Sequence, residues 1–115
     1  MPNPVVHFEI VGRDGPALQR FYSEAFGWRV DAENPMNYGM VDNGGEGING
    51  GISAGEKPDD SWVTVYIQVD DLDAALTKIE AAGGKTVQPP LEIPGVVTMA
   101  LFTDPDGHLV GLVKG

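Results

Sequence analysis

Hydrophobic and polar residues alternate near the start of the chain. Val5-Val6-His7-Phe8-Glu9-Ile10-Val11 puts Val6, Phe8 and Ile10 on one side and His7 and Glu9 on the other. That period of two marks a strand with one buried face. Asp14 then stands at a helix N-cap position, with Pro16 in the first turn. Leu18, Phe21, Tyr22 and Ala25 recur at helical spacing, and Gly27 ends the run as a C′ glycine does. Strands are expected over 28–32, 38–42 and 48–53, with Asn43-Gly44-Gly45 as a hairpin turn between the last two.

The pattern then starts again. Val63, Val65, Ile67 and Val69 alternate with Trp62, Thr64, Tyr66 and Gln68. Asp71 caps a helix carrying Leu72, Ala75, Leu76 and Ile79, and Gly83-Gly84 stops it. Strands are expected over 85–88, 96–103 and 108–113, the last two joined by the turn Asp104-Pro105-Asp106-Gly107. Sliding the chain against itself by about 57 residues pairs Asp14 with Asp71, Gly27 with Gly84 and Val30 with Val87. The order strand–helix–three strands therefore occurs twice. The expected organisation is one α+β domain over 1–115, with module one at 1–53, a polar linker at 54–61 and module two at 62–115.

Composition narrows the partners. Seven Lys and Arg against 17 Asp and Glu give a net charge of −10, which opposes nucleic acid and anionic membrane surfaces. With no cysteine, disulfides, thiolate metal sites and cysteine nucleophiles are excluded. No stretch nears the roughly 18 apolar residues of a membrane span, and no basic start precedes an apolar run as in a signal peptide. A cytoplasmic location is expected. The 16 Gly and 9 Pro suit short strands and tight turns. They fit neither phosphate-loop pattern, and no Ser-His-Asp set is legible.

Three stretches of the second half carry a family likeness: Val69-Asp70-Asp71-Leu72-Asp73-Ala74-Ala75-Leu76, Ala82-Gly83-Gly84, and Phe102-Thr103-Asp104-Pro105-Asp106-Gly107-His108. With Phe21-Tyr22 and Phe26-Gly27-Trp28 in the first half, the chain resembles the vicinal oxygen chelate superfamily. That group includes glyoxalase I, bleomycin-resistance proteins, fosfomycin-resistance enzymes and extradiol dioxygenases. The resemblance implies two tandem βαβββ modules forming a cup-shaped, incompletely closed mixed β-barrel flanked by helices, and commonly a homodimer. It also implies metal ligands on the first and last strands of each module. Those positions here hold His7, Thr64, Gly111 and Gly51, or Gly50 if the register slips by one. Only His7 is a competent ligand, since glycine offers backbone alone and threonine ligates Zn, Fe or Ni poorly.

A metal-depleted cup leaves other chemistry open. His7 and Glu9 share a strand face with Cβ atoms roughly 7 Å apart, and Thr64, Tyr66 and Gln68 share the matching face of the second module. His7, Glu9 and Tyr66 are the candidate catalytic set: an imidazole and a carboxylate for acid–base work and a phenol for a developing oxyanion. Epoxide opening, a proton shift beside a carbonyl or an elimination would each suit them. Gln68, Thr64, Trp62, Asn49, Tyr38, Met40, Met99, Phe102 and Glu46 are candidate substrate contacts, the Met and aromatic residues as an adaptable apolar lining. His7, Glu9 and Tyr66 could equally satisfy one another as a structural network. Two rival functions remain: a protein that sequesters an antibiotic or metabolite, favouring cationic ligands, and a Zn, Fe, Mn or Ni enzyme with a relocated site using Glu46 or His108. The substrate reading needs no cofactor.

Overall fold

The computed structural model describes residues 2–115. Ten elements follow the order expected: β1 (Val5–Gly12), α1 (Gly15–Phe26), β2 (Arg29–Asp31), β3 (Gly39–Asp42), β4 (Asn49–Ala54), β5 (Trp62–Val69), α2 (Leu72–Ala81), β6 (Lys85–Ile93), β7 (Val97–Thr103) and β8 (Leu109–Lys114). The fold is α+β, built of two βαβββ modules. The chain divides into two compact units, His7–Val63 and a second made of the N-terminal residues through Val6 with Thr64–Gly115.

In the His7–Val63 unit the strands lie in the order β2-β3-β4-β1. The first two pairings are antiparallel and β4 pairs β1 in parallel. The Asp14 carboxylate accepts from the Ala17 N–H at 3.0 Å, as an N-cap should, and Gly27 leaves α1 in the left-handed conformation (φ 71°) that glycine adopts freely. Ile10, Val41 and Ile52 form the core, with Phe8, Leu18, Tyr22, Trp28 and Val30 packed against it. The alternation of β1 thus sends Phe8 and Ile10 to the core face and His7 and Glu9 to the other.

The second unit repeats the topology as β6-β7-β8-β5, with β5 and β8 parallel. Asp71 caps α2 through the Ala74 N–H at 3.0 Å. Val69, Leu72, Leu76, Ala100, Phe102 and Leu112 are its core.

Two local expectations need correcting. β6 does not stop at Gln88 but continues to Ile93, because the register shifts at Pro89-Pro90 leave both prolines out of the ladder on an edge strand. Val63, on the apolar side of the β5 alternation, is 76% exposed rather than buried, whereas Ile67 and Val69 of that side join the core of the second unit.

Candidate functional site

The register of three strands builds the site in the His7–Val63 unit. Glu9 pairs with Gly51 of β4, and Gly51 with Met40 of β3, so these positions form one row on the face away from the Ile10–Val41–Ile52 core. His7 lies beside Asn49 in the next row. Gly51 leaves a gap in the middle of this face, and the Tyr38 ring fills it. A Cβ added to Gly51 would overlap the Tyr38 phenol.

From that seat the Tyr38 hydroxyl reaches both polar residues of β1. It lies 2.9 Å from His7 Nε2 and donates to Glu9 Oε2 at 3.1 Å. Trp62 Nε1–H donates to the other carboxylate oxygen, Oε1, at 3.0 Å. The His7 and Tyr38 rings stack with planes 15° apart. A phenol has one proton to give. If it goes to Glu9, the Tyr38 oxygen accepts from His7 Nε2–H, which assigns the imidazole lone pair to Nδ1. Glu9 is 8% exposed and His7 half-buried. Burial holds the His7 pKa below its ordinary value, against the opposing pull of the nearby Glu9 carboxylate. His7 is therefore predominantly neutral at pH 7.

Tyr66, expected to join His7 and Glu9, lies in the other unit. It is buried, and its ring covers Gly111, its partner across the β5–β8 pair, where an added Cβ would overlap it. The Thr64 hydroxyl is also buried and donates to the Leu109 carbonyl, so it is not free to donate to a ligand. Gln68 lies against Gly115.

The remaining candidates separate. Trp62 and Tyr38 belong to the polar chain around Glu9 rather than to an apolar lining. Met40 is exposed on the same face as Glu9. Asn49 accepts from the Asn43 N–H at 2.9 Å and so braces its own hairpin. Glu46 is exposed in that turn. Met99 is buried on β7, while Phe102 is a core residue under α2 and not a pocket wall. His108 is exposed and braces a turn: its Nδ1 lies 3.0 Å from Asp104 Oδ2, and Asp104 Oδ1 accepts from the His108 and Asp106 N–H groups. These bonds, the His108 N–H foremost, hold the Asp104 carboxyl below its ordinary pKa.

The side chains at the four ligand positions implied by the resemblance do not fit a divalent metal. His7 Nε2 is bonded to Tyr38, the space above Gly51 and Gly111 is taken by tyrosine rings, and the Thr64 hydroxyl is committed to a carbonyl. Among the described residues no group of three His, Asp or Glu is gathered as ligands would be.

The repeated βαβββ module and its first-strand histidine lead to a family. The sequence profile of the Glyoxalase/Bleomycin resistance protein/Dioxygenase superfamily matches residues 5–112. The chain belongs to this superfamily. CFP32 of Mycobacterium tuberculosis, provisionally named a glyoxylase, is 36% identical over 110 residues, covering 86% of this chain and 41% of that protein. The chain thus spans about two fifths of the length of that relative. A superfamily member from Vibrio splendidus shares the fold with a TM-score of 0.67 at 20% identity, over 99% of this chain and 100% of that one. Methylmalonyl-CoA epimerase from Mycobacterium tuberculosis does so with a TM-score of 0.70 at 15% identity, over 96% and 86%. The superfamily carries many reactions on one scaffold, so the side chains of the site must supply the chemistry.

Proposed function

We propose that this chain is a small-molecule enzyme that moves protons on an oxygen-bearing organic substrate, without a resident metal, through His7, Tyr38 and Glu9. The observation that carries this reading is the Tyr38 phenol held between an imidazole and a carboxylate in the gap over Gly51. A neutral imidazole takes a proton from carbon or water. The phenol turns its one proton from Glu9 to the substrate oxygen as negative charge develops there. Glu9, fixed by the Trp62 indole, orients the phenol and offsets the positive charge His7 gains. Tyr38 joins Tyr66 as a candidate donor to that oxygen. Epoxide opening, enolisation and elimination each need this pairing of base and oxygen donor. Met40 offers an adaptable apolar contact on the same face. The net charge of −10 favours neutral or cationic substrates over polyanions such as coenzyme A esters.

The test is turnover by protein stripped of metal with a chelator, on a panel of epoxides, enolisable ketones followed by deuterium exchange, and β-substituted carbonyl compounds. Activity on one class, lowered by about 10²–10⁴-fold in both His7→Ala and Tyr38→Phe, supports the reading. Activity that appears only when Zn, Fe, Mn or Ni is restored, or that both variants keep, contradicts it. A ligand that raises Tm with no turnover would favour a sequestering protein instead.

A further inference from the structure

Tyr38 sits one residue before β3 begins, beyond the last pair of the β3–β4 ladder, Gly39 with Ile52. Its backbone therefore needs other partners, since a half-buried N–H and C=O left unpaired are costly. One side chain supplies both. Asn34 Oδ1 accepts from the Tyr38 N–H at 3.0 Å, and Asn34 Nδ2 donates to the Tyr38 carbonyl at 2.8 Å. The carboxamide thus takes the place of a neighbouring strand.

The segment between them is a tight turn. Asn37 N–H bonds to the Asn34 carbonyl at 3.0 Å across Pro35-Met36, and Asn37 has φ 53°, a left-handed conformation that asparagine tolerates better than most residues. A second carboxamide ties this turn to the scaffold. Gln19 of α1 donates to the Ile52 carbonyl at 2.7 Å and to the Asn37 carbonyl at 3.2 Å. The Tyr38 hydroxyl must meet His7 at 2.9 Å and Glu9 at 3.1 Å at the same time, so a small displacement of its backbone breaks both bonds.

We propose that Asn34 is the positioning residue of this site, clamping the Tyr38 backbone so that its phenol is seated between His7 and Glu9. Its importance for turnover rests on the function proposed above; the clamp itself does not. Asn34 touches neither His7 nor Glu9 in this role and acts only through Tyr38.

The experiment follows the His7 imidazole and Trp62 indole resonances by NMR in the whole protein, with circular dichroism to establish folding. Tyr38→Phe provides the reference pattern for loss of the hydroxyl. Asn34→Ala is expected to shift the His7 and Trp62 signals in the same directions as Tyr38→Phe, and to shift them little further when the two are combined. Asn34→Asp keeps the acceptor for the Tyr38 N–H and loses the donor, and it is expected to move the same signals part of the way. It also serves if the alanine variant does not fold. Wild-type His7 and Trp62 resonances in a folded Asn34 variant would overturn the proposal, as would full additivity with Tyr38→Phe. Because no substrate is needed, a failure here is distinct from an absence of turnover.

Discussion

Gly51→Ala puts one methyl group where the Tyr38 phenol lies. The methyl is attached to the backbone of a paired strand and cannot move aside, so the ring must. Its hydroxyl then loses His7 and Glu9 together. A neutral hydrogen bond contributes about 0.5–1.5 kcal/mol and one to a charged group about 1.5–3 kcal/mol. The expected loss is therefore about 2–4 kcal/mol, in line with the cost of overfilling a packed site. For a chain of this length that lowers Tm by about 8–16 °C. Urea unfolding followed by circular dichroism measures it, with the slope m compared between variants. Tyr38→Ala removes the obstacle. In that background Gly51→Ala is expected to cost at most about 0.5 kcal/mol, giving a coupling of about 1.5 kcal/mol or more in the double-mutant cycle. Gly47→Ala, with open space around its added Cβ, is the control and stays within about 0.5 kcal/mol of wild type or gains slightly. An equal Gly51→Ala penalty with and without the Tyr38 ring would refute the reasoning.

The other unit offers the same test at Gly111. Gly111→Ala meets the Tyr66 ring and is expected to cost about 1–3 kcal/mol, relieved by Tyr66→Ala; urea unfolding reads both. Phe102→Ala opens the core under α2 and is expected to cost about 3–5 kcal/mol, while leaving the His7 and Trp62 resonances in place. The pH dependence of stability has a definite sign at His7. Its folded pKa lies below 6.5 because of burial, so as pH falls the unfolded chain takes the proton first. Stability is accordingly highest above pH 6.5 and declines as pH drops through that value toward the folded midpoint. His7→Gln removes this component, and identical stability slopes between about pH 7 and 5 in the two proteins would contradict it.

The modules were legible because each announces itself locally. Asp14 and Asp71 cap their helices as their positions suggest, and the alternation of β1 correctly separates the Phe8–Ile10 face from the His7–Glu9 face. β7 shows where such signals fail. Val97-Thr98-Met99-Ala100-Leu101-Phe102 is apolar on both faces, so period alone cannot say that Ala100 and Phe102 turn toward α2. The site was legible only in part. That His7 and Glu9 share a face follows from their spacing, but their link through Tyr38 depends on a gap at Gly51 and on the Asn34–Asn37 turn that precedes the tyrosine. The turn itself carries a visible signal, Asn34-Pro35 with Asn37. Nothing local says that the tyrosine after it points across the sheet. Strand alternation describes one module's faces and not which tertiary gap a ring will fill, so it could not assign Tyr38 to the gap over Gly51.

Nitrogen-15 NMR of the His7 imidazole, in protein stripped of metal and then titrated with Zn²⁺, tests the central claim most directly. A neutral ring protonated on Nε2, titrating below 6.5 and unchanged by stoichiometric Zn²⁺, is the predicted result. Resonances that move on adding one equivalent of the metal, with Tyr38→Phe abolishing none of the movement, would show His7 serving as a ligand and contradict it.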